Sequence, residues 1–305
     1  MKIICLKGGI GNQIFEYCRY LKVKEGGEKV YIYYDSRRLK QHQNLLISDV
    51  FHITLPKEPL WVTLFVWILK LLRVFKVFNK LYNDEEESAI LIDDYSQSIE
   101  YTKFTNDILN FRNHIKQNKY ADYYMKKIEK TTYSVALHVR RGDYLLKENK
   151  ENFGVCPLAY YQKAKQYIAS QYPKATFFVF SDDIEWCKNN LQGENNIFVD
   201  IPQQVPDSVS LYLMTQCTGH IIANSTFSFW GAKILTKTNS INIYPCKWFS
   251  NPTWNIPNYI LIISAIWYRR SGRMVPPVSR CRIFHSGDVV PHQISFFDIL
   301  VHQRV

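Results

Sequence analysis

The chain reads as an α/β protein built on parallel strands. Two patterns predict this. From residue 133 onward, short apolar runs alternate with longer stretches of helical character. The first 35 residues repeat the theme once, as strand, glycine loop, helix and strand.

In chain order, the first strand is expected over 3–6, followed by the loop K-G-G-I-G-N (7–12), a helix over 13–23 and a strand over 30–34. The stretch 40–130 reads as mostly helical and polar-rich. Within it, 59–69 is uncharged, P-L-W-V-T-L-F-V-W-I-L. A bilayer span needs about 20 such residues, so this run is too short to cross one. Lys70, Arg73, Lys76 and Lys80 follow, interleaved with apolar residues. The stretch 61–78 therefore reads as a buried amphipathic helix, or alternatively as a basic helix lying on a membrane surface. The acidic run 84–87, D-E-E-E, reads as a solvated turn.

Beyond 131 the expected strands are 133–139, 176–180, 197–201, 220–223 and 240–244. The expected helices are 158–172, 184–191, 208–217 and 227–235. Strict alternation implies crossover helices and a parallel sheet. In such sheets ligands bind beyond the carboxyl ends of the strands. The last 37 residues differ: all 25 lysines lie at or before Lys247, whereas six of the 13 arginines lie in 269–305. The expected division is 1–130 as an N-terminal domain, 131–268 as a nucleotide-binding domain and 269–305 as a tail without assigned order or function.

Bulk composition narrows the function. With 305 residues and 47% apolar content, a large core can form, and a charged fraction of 21% argues against global disorder. The formal charge of +11 fits a phosphorylated ligand, an anionic membrane surface or nucleic acid. No zinc finger, RRM aromatic motif or basic zipper is present, so a nucleic-acid partner is not expected. The seven cysteines are odd in number and contain no C-x-x-C pair. They read as free thiols, and a cytoplasmic location is expected, with peripheral contact at the inner membrane face as a further possibility. A strand is expected at the start of the chain, and a signal peptide is not expected.

Three stretches carry chemistry. S-V-A-L-H-V-R-R-G-D-Y (134–144) ends a core strand with His138, Arg140, Arg141 and Asp143. Guanidinium groups need charged acceptors, and a diphosphate supplies several in a geometry that suits their fork. An ion pair with Asp143 satisfies one arginine and leaves the other for a ligand. In G-G-I-G-N-Q (8–13), Gly9, Gly11 and Asn12 are candidate donor contacts. The spacing is neither the dinucleotide fingerprint nor a Walker loop. Asn12 and Gln13 either cap the following helix or present amides to a sugar. In A-N-S-T-F-S-F-W-G-A (223–232), Asn224, Ser225, Thr226 and Ser228 cluster at a helix start, a natural anion site; one of them would suffice for a cap. Asp182 and Asp183 lack metal-site spacing, since neighbours on a strand face opposite ways. They read as a turn and a cap.

Together, G-G-I-G-N-Q-I-F-E-Y, H-V-R-R-G-D-Y and I-I-A-N-S-T-F-S-F-W-G-A resemble the bacterial α-1,2-fucosyltransferases of glycosyltransferase family 11. The resemblance covers 1–35 and 131–250. It implies a GT-B-like fold, two Rossmann-like domains with the active site in the interdomain cleft. It also implies GDP-β-L-fucose as donor and the 2-hydroxyl of a terminal galactoside, on an oligosaccharide or glycolipid, as acceptor. Transfer would invert the anomeric centre without a metal or cofactor. Arg140 would hold the β-phosphate with Arg141 beside it, His138 would lie against the nucleotide, and Ser225, Thr226 and Ser228 would meet the phosphates. Asn224 would touch the donor more loosely, and Asp143 would position the arginines. Glu148 and Glu16 are the candidate general bases. Family members often carry an acid four residues before the methionine of a Leu-Met pair. Ser210 stands there, ahead of Leu213-Met214, and Asp207 is the nearest acid. The competing readings are a nucleotide-sugar-binding protein without catalysis and a fucosyltransferase of another linkage.

Overall fold

The computed structural model describes residues 1–74, 89–104, 109–235, 237, 239–251 and two short strands at 282–285 and 292–293. The acidic run 84–87, residues 75–78 of the expected amphipathic helix and most of the tail lie outside them. The chain divides into two compact units, Met1–Arg112 and Asn113–Val305. This division falls ahead of the expected one at 130/131.

In the first unit, β1 (Lys2–Leu6), α1 (Ile10–Glu25) and β2 (Val30–Tyr34) follow the expected order. After α2 (Ser36–Lys40), α3 (Ile47–Val50) and α4 (Leu60–Val74) comes β3 (Leu91–Ile92). The three strands form a parallel sheet in the order β2-β1-β3. Less of the described part of 40–130 is helical than the sequence suggests. Its described part also holds a 3-10 helix, Ile99–Phe104, and an isolated antiparallel bridge between Phe51 and Phe111. Val62, Val66 and Leu69 of α4 pack on Ile3, Cys5 and Leu91, closing one face of the sheet.

The second unit contains α5 (Asn113–Lys116), α6 (Lys119–Glu129), β4 (Tyr133–Val139), α7 (Lys147–Lys150), α8 (Leu158–Gln171) and β5 (Ala175–Ser181). It continues with α9 (Ile184–Asn190), β6 (Asn196–Phe198), α10 (Ser208–Gln216), β7 (Gly219–Ile221), α11 (Thr226–Lys233) and β8 (Ile241–Tyr244). Helix α6 packs on α10, which ties 119–129 to this unit. The strands β6-β5-β4-β7-β8 are mutually parallel. Two strands of the tail extend the sheet edge: β9 (Arg282–His285) runs antiparallel to β8, and β10 (His292–Gln293) antiparallel to β9.

β4 is buried at every position, as a central strand covered on both faces must be. From β4 the chain moves outward through β5 to β6. It then returns to the other side of β4 to lay down β7 and β8. The point where strand order reverses, between β4 and β7, is where an open parallel sheet leaves room for a ligand beyond its carboxyl ends. The six described cysteines are all free thiols.

Candidate active site

β4 and β5 are paired in register, with His138 opposite Phe180 and Val139 opposite Ser181. The residues that follow each strand, Arg140-Arg141 and Asp182-Asp183, therefore emerge side by side. Arg140 Nη1 lies 3.1 Å from Asp182 Oδ2, and Nη2 lies 2.6 Å from Asp143 Oδ1. Arg141 donates its backbone N–H to Asp182 Oδ1 at 2.9 Å and its Nε–H to Asp183 Oδ2 at 3.0 Å. Its guanidinium lies over the Trp186 ring, 4.0 Å from the centroid. Burial works against the Arg140 charge, but Asp182 and Asp143 outweigh it and hold its pKa above the ordinary guanidinium value. Gly142 allows the close approach of this turn: a Cβ there would sit 2.7 Å from Asp182 Oδ2.

This arrangement corrects two expectations. Asp182 and Asp183 lie past the end of β5, so strand alternation does not separate them, and both engage the arginine pair. Asp183 also caps α9, accepting from the Trp186 N–H at 3.2 Å, as expected. Nor does Asp143 satisfy one arginine and leave the other unpaired, because each arginine has a carboxylate of its own.

The carboxyl end of β7 supplies the other wall. The Asn224 side chain is committed to the protein's own backbone: Nδ2 donates to the carbonyls of Phe153 (3.0 Å), Gly154 (3.2 Å) and Trp248 (2.9 Å). The Tyr144 hydroxyl donates to the Asn224 carbonyl at 3.1 Å, linking this segment to the arginine turn. Ser228 is fully buried, and its hydroxyl faces the Ala223 and Ser225 carbonyls at 3.3 and 3.2 Å. Ser225 is the N-cap of α11 yet makes no side-chain capping bond, so ordinary capping does not account for it. Thr226 opens the helix half-buried.

His138 lies between the two walls. Its ring is 5.7 Å from that of Phe227, and among the described residues its buried Nδ1 has no hydrogen-bond partner. Burial, reinforced by Arg140, pushes its pKa down to about 3, so the ring is neutral at physiological pH. Another buried histidine of this sheet, His220, has both ring nitrogens bonded, to Asn242 Oδ1 and the Met214 carbonyl. An orphaned polar atom in a folded interior calls for an explanation, and a bound ligand is one.

In the first unit the glycine loop leaves β1 with Gly8 at φ +70°, and α1 starts directly after Gly9, three residues earlier than expected. Gly9 is the N-cap, so neither Asn12 nor Gln13 caps the helix. Gln13 is buried and braces the loop. Its amide donates to the Gly8 and Leu45 carbonyls at 2.9 and 2.8 Å and accepts from the Ile47 N–H at 3.0 Å. Asn12 Oδ1 accepts from Gln97 at 3.1 Å, and Gly11 lies buried within the first turn of α1.

The two candidate bases differ sharply. Glu148 lies exposed on α7. Glu16 is fully buried and accepts from the Lys7 N–H at 2.9 Å; burial pushes its carboxyl well up. Held by that bond and closed off from solvent, the Glu16 carboxyl braces the loop. Sequence reasoning also missed Asp182, Tyr144 and Trp186 as parts of the arginine turn. Their signal was the register of neighbouring strands, which chain order alone does not display.

Residues 89–258 match the family model described as glycosyl transferase family 11. The chain is 29% identical over 290 residues to the O-antigen biosynthesis glycosyltransferase WbnK of Escherichia coli, covering 81% of this chain and 94% of that protein. It is 28% identical over 277 residues to an Escherichia coli alpha-1,2-colitosyltransferase, covering 82% and 93%. A shorter stretch of 101 residues is 35% identical to galactoside alpha-(1,2)-fucosyltransferase 1 of Sus scrofa, covering 32% of this chain and 28% of that one. The model match takes in the β4 arginine turn and the β7 segment, and the two bacterial relatives align with over four-fifths of the chain: it is a glycosyltransferase and belongs to glycosyl transferase family 11.

Proposed function

We propose that the chain moves L-fucose from GDP-β-L-fucose to the 2-hydroxyl of a terminal galactoside, by direct displacement with inversion. The observation that carries this reading is the Arg140–Arg141 turn at the reversal point of the sheet, held by three aspartates and faced by His138. As the sugar–oxygen bond breaks, charge builds on the β-phosphate of the departing GDP. A guanidinium already oriented there stabilises that charge more in the transition state than in the ground state. His138 offers its orphaned Nδ1 to the donor, and the Ser225–Thr226 start of α11 offers its amide end to the phosphates. Asn224 and Ser228 act by holding that segment in place. Gly9, Gly11 and Asn12 of the first unit are proposed as further donor contacts, the rest of that unit serving the acceptor, and with this goes the GT-B-like reading of the two units. Two fixed cations do the work that a metal does in other transferases, so none is required. Because Glu16 is sealed, the hydroxyl proton leaves through Glu148 or with the departing phosphate.

The alpha-1,2 linkage in the names of two relatives supports the acceptor position. One of those names gives colitose as the transferred sugar, which favours a second donor reading. The deciding experiment incubates the protein with lactose and either GDP-fucose or the corresponding colitose nucleotide. It follows GDP release and the anomeric configuration of the product by NMR. Lactose-dependent release with an α-linked product on the galactose 2-hydroxyl supports the proposal. Donor binding without turnover across a panel of galactosides would leave a nucleotide-sugar-binding protein.

A further inference from the structure

α4 is apolar on two sides. Its inner stripe, Val62, Val66 and Leu69, is buried against β1 and β3. Its outer stripe is Leu60, Leu64, Trp67, Ile68 and Leu71, with Leu60 89%, Leu64 59% and Trp67 64% exposed. Those positions recur every three or four residues and so line one helix face. Scattered exposed apolar residues are ordinary, but a continuous stripe on one element marks a contact surface.

Cations border the stripe. Trp61, at the start of α4, meets the Tyr31 ring edge-on at 4.8 Å, and Lys29 Nζ lies 5.8 Å from the same ring centroid. Exposed Lys57 precedes the helix, whereas Lys70, 4.8 Å from the Tyr33 centroid, has its charge matched by Asp35. Nearby acids are engaged: Glu58 accepts from the Tyr34 N–H and the Thr63 hydroxyl, and Asp35 pairs with Lys70. The helix is 15 residues, about 22 Å at 1.5 Å per residue, which is shorter than a hydrocarbon core. No helix among the described residues is long and apolar enough to cross a membrane.

We infer that α4 docks the protein on an anionic phospholipid bilayer, lying in the surface plane. The outer stripe enters the boundary between headgroups and acyl chains, and Lys29 and Lys57 meet lipid phosphates. A second copy on this face would bring the same cationic border toward itself, which disfavours a dimer. The acidic run 84–87 follows the basic stretch in sequence, and comparing vesicles of two charges weighs its effect.

The test is co-sedimentation of the full chain with phosphatidylcholine vesicles, with and without roughly one-third phosphatidylglycerol. Binding to the anionic vesicles is expected, about tenfold or more weaker to the neutral ones and for the Leu64→Glu/Trp67→Glu variant. Both substituted residues are exposed, and an unchanged melting temperature checks the fold. Lys29→Glu/Lys57→Glu tests the charged border separately and is expected to remove much of the preference for anionic lipid. Failure to sediment with anionic vesicles, or equal sedimentation of Leu64→Glu/Trp67→Glu, would overturn the inference. So would a dimer in analytical ultracentrifugation that the same substitutions dissociate. None of these outcomes depends on the identity of the donor or acceptor.

Discussion

His138 lies in β4 and Arg140 just past its end, and the two meet the same space with opposite needs. Arg140 keeps its charge because carboxylates surround it, and His138 loses its charge to burial and to Arg140 beside it. Each yields a prediction. Arg140→Ala is expected to lower kcat by ~10² or more, the scale of losing one donor to a developing oxyanion. Arg140→Lys should restore little, because a compact ammonium lacks the fork that spans Asp182 and a phosphate together. Rates near those of the wild type, measured at saturating donor, would remove Arg140 from the chemistry. For His138 the reading is thermodynamic. Its folded pKa of about 3 lies below the ordinary histidine value of about 6.5. The unfolded chain therefore takes up a proton that the fold refuses. Stability is intact above pH ~6.5 and falls as the pH drops from there toward 3, by up to ~1.4 kcal/mol per unit. His220, also pushed down by burial, adds in the same direction. Thermal melts between pH 7 and 4.5 should show the fall, and His138→Gln should flatten it by about one proton. An unchanged slope in that variant would mean His138 titrates normally. The sequence shows that both histidines sit in apolar strands; which one lacks a partner depends on tertiary neighbours such as Asn242, 22 residues from His220.

At the scale of elements, apolar periodicity revealed nearly every strand and helix beyond 133, because a strand buried on both faces must be apolar throughout. What it could not reveal was pairing. Asp182 joins the arginine turn only because β5 lies beside β4 in register, and the same acids following a distant strand would be ordinary turn residues. The tail strands β9 and β10 were hidden for a different reason: runs of four and two residues are too short to show a period. The clamp itself separates two kinds of carboxylate. Asp182 is 25% exposed and holds both the Arg141 backbone and Arg140, so it is fixed. Asp143 is 47% exposed and holds Arg140 through one ion pair, so it is the partner a phosphate can displace. Donor binding then exchanges Asp143 for the diphosphate. Asp143→Asn is expected to tighten GDP binding by about three- to tenfold, in line with the ~1 kcal/mol of a part-exposed pair. Asp182→Asn should weaken it by a similar or larger factor, because Arg140 loses its fixed anchor. Calorimetric titration with GDP separates the two. Weakening by both substitutions would mean that Asp143 stays on Arg140 in the complex.

For the molecule as a whole, the two units differ in how much their sequences disclose. The second follows a strict alternation that nearly dictates its topology. The first has one legible β-loop-α-β start, and then a long stretch whose packing depends on α4 covering the sheet, which its uniform apolarity could not orient. Charge is also distributed by role. Among the described residues no three histidine, cysteine or acidic side chains gather where they could hold a metal ion. The acids that stand closest to the proposed diphosphate, Asp143, Asp182 and Asp183, are already paired with arginines. A divalent cation entering there would have to strip those pairs and would face two guanidinium groups at close range. Turnover is therefore expected to persist in excess EDTA and to gain nothing from added Mg²⁺ or Mn²⁺. It should fall with rising ionic strength instead, as screening weakens the attraction between a basic protein and a doubly charged donor. Activity abolished by EDTA and restored by Mg²⁺, measured as lactose-dependent GDP release, would show that the arginine pair does not suffice to carry the leaving charge.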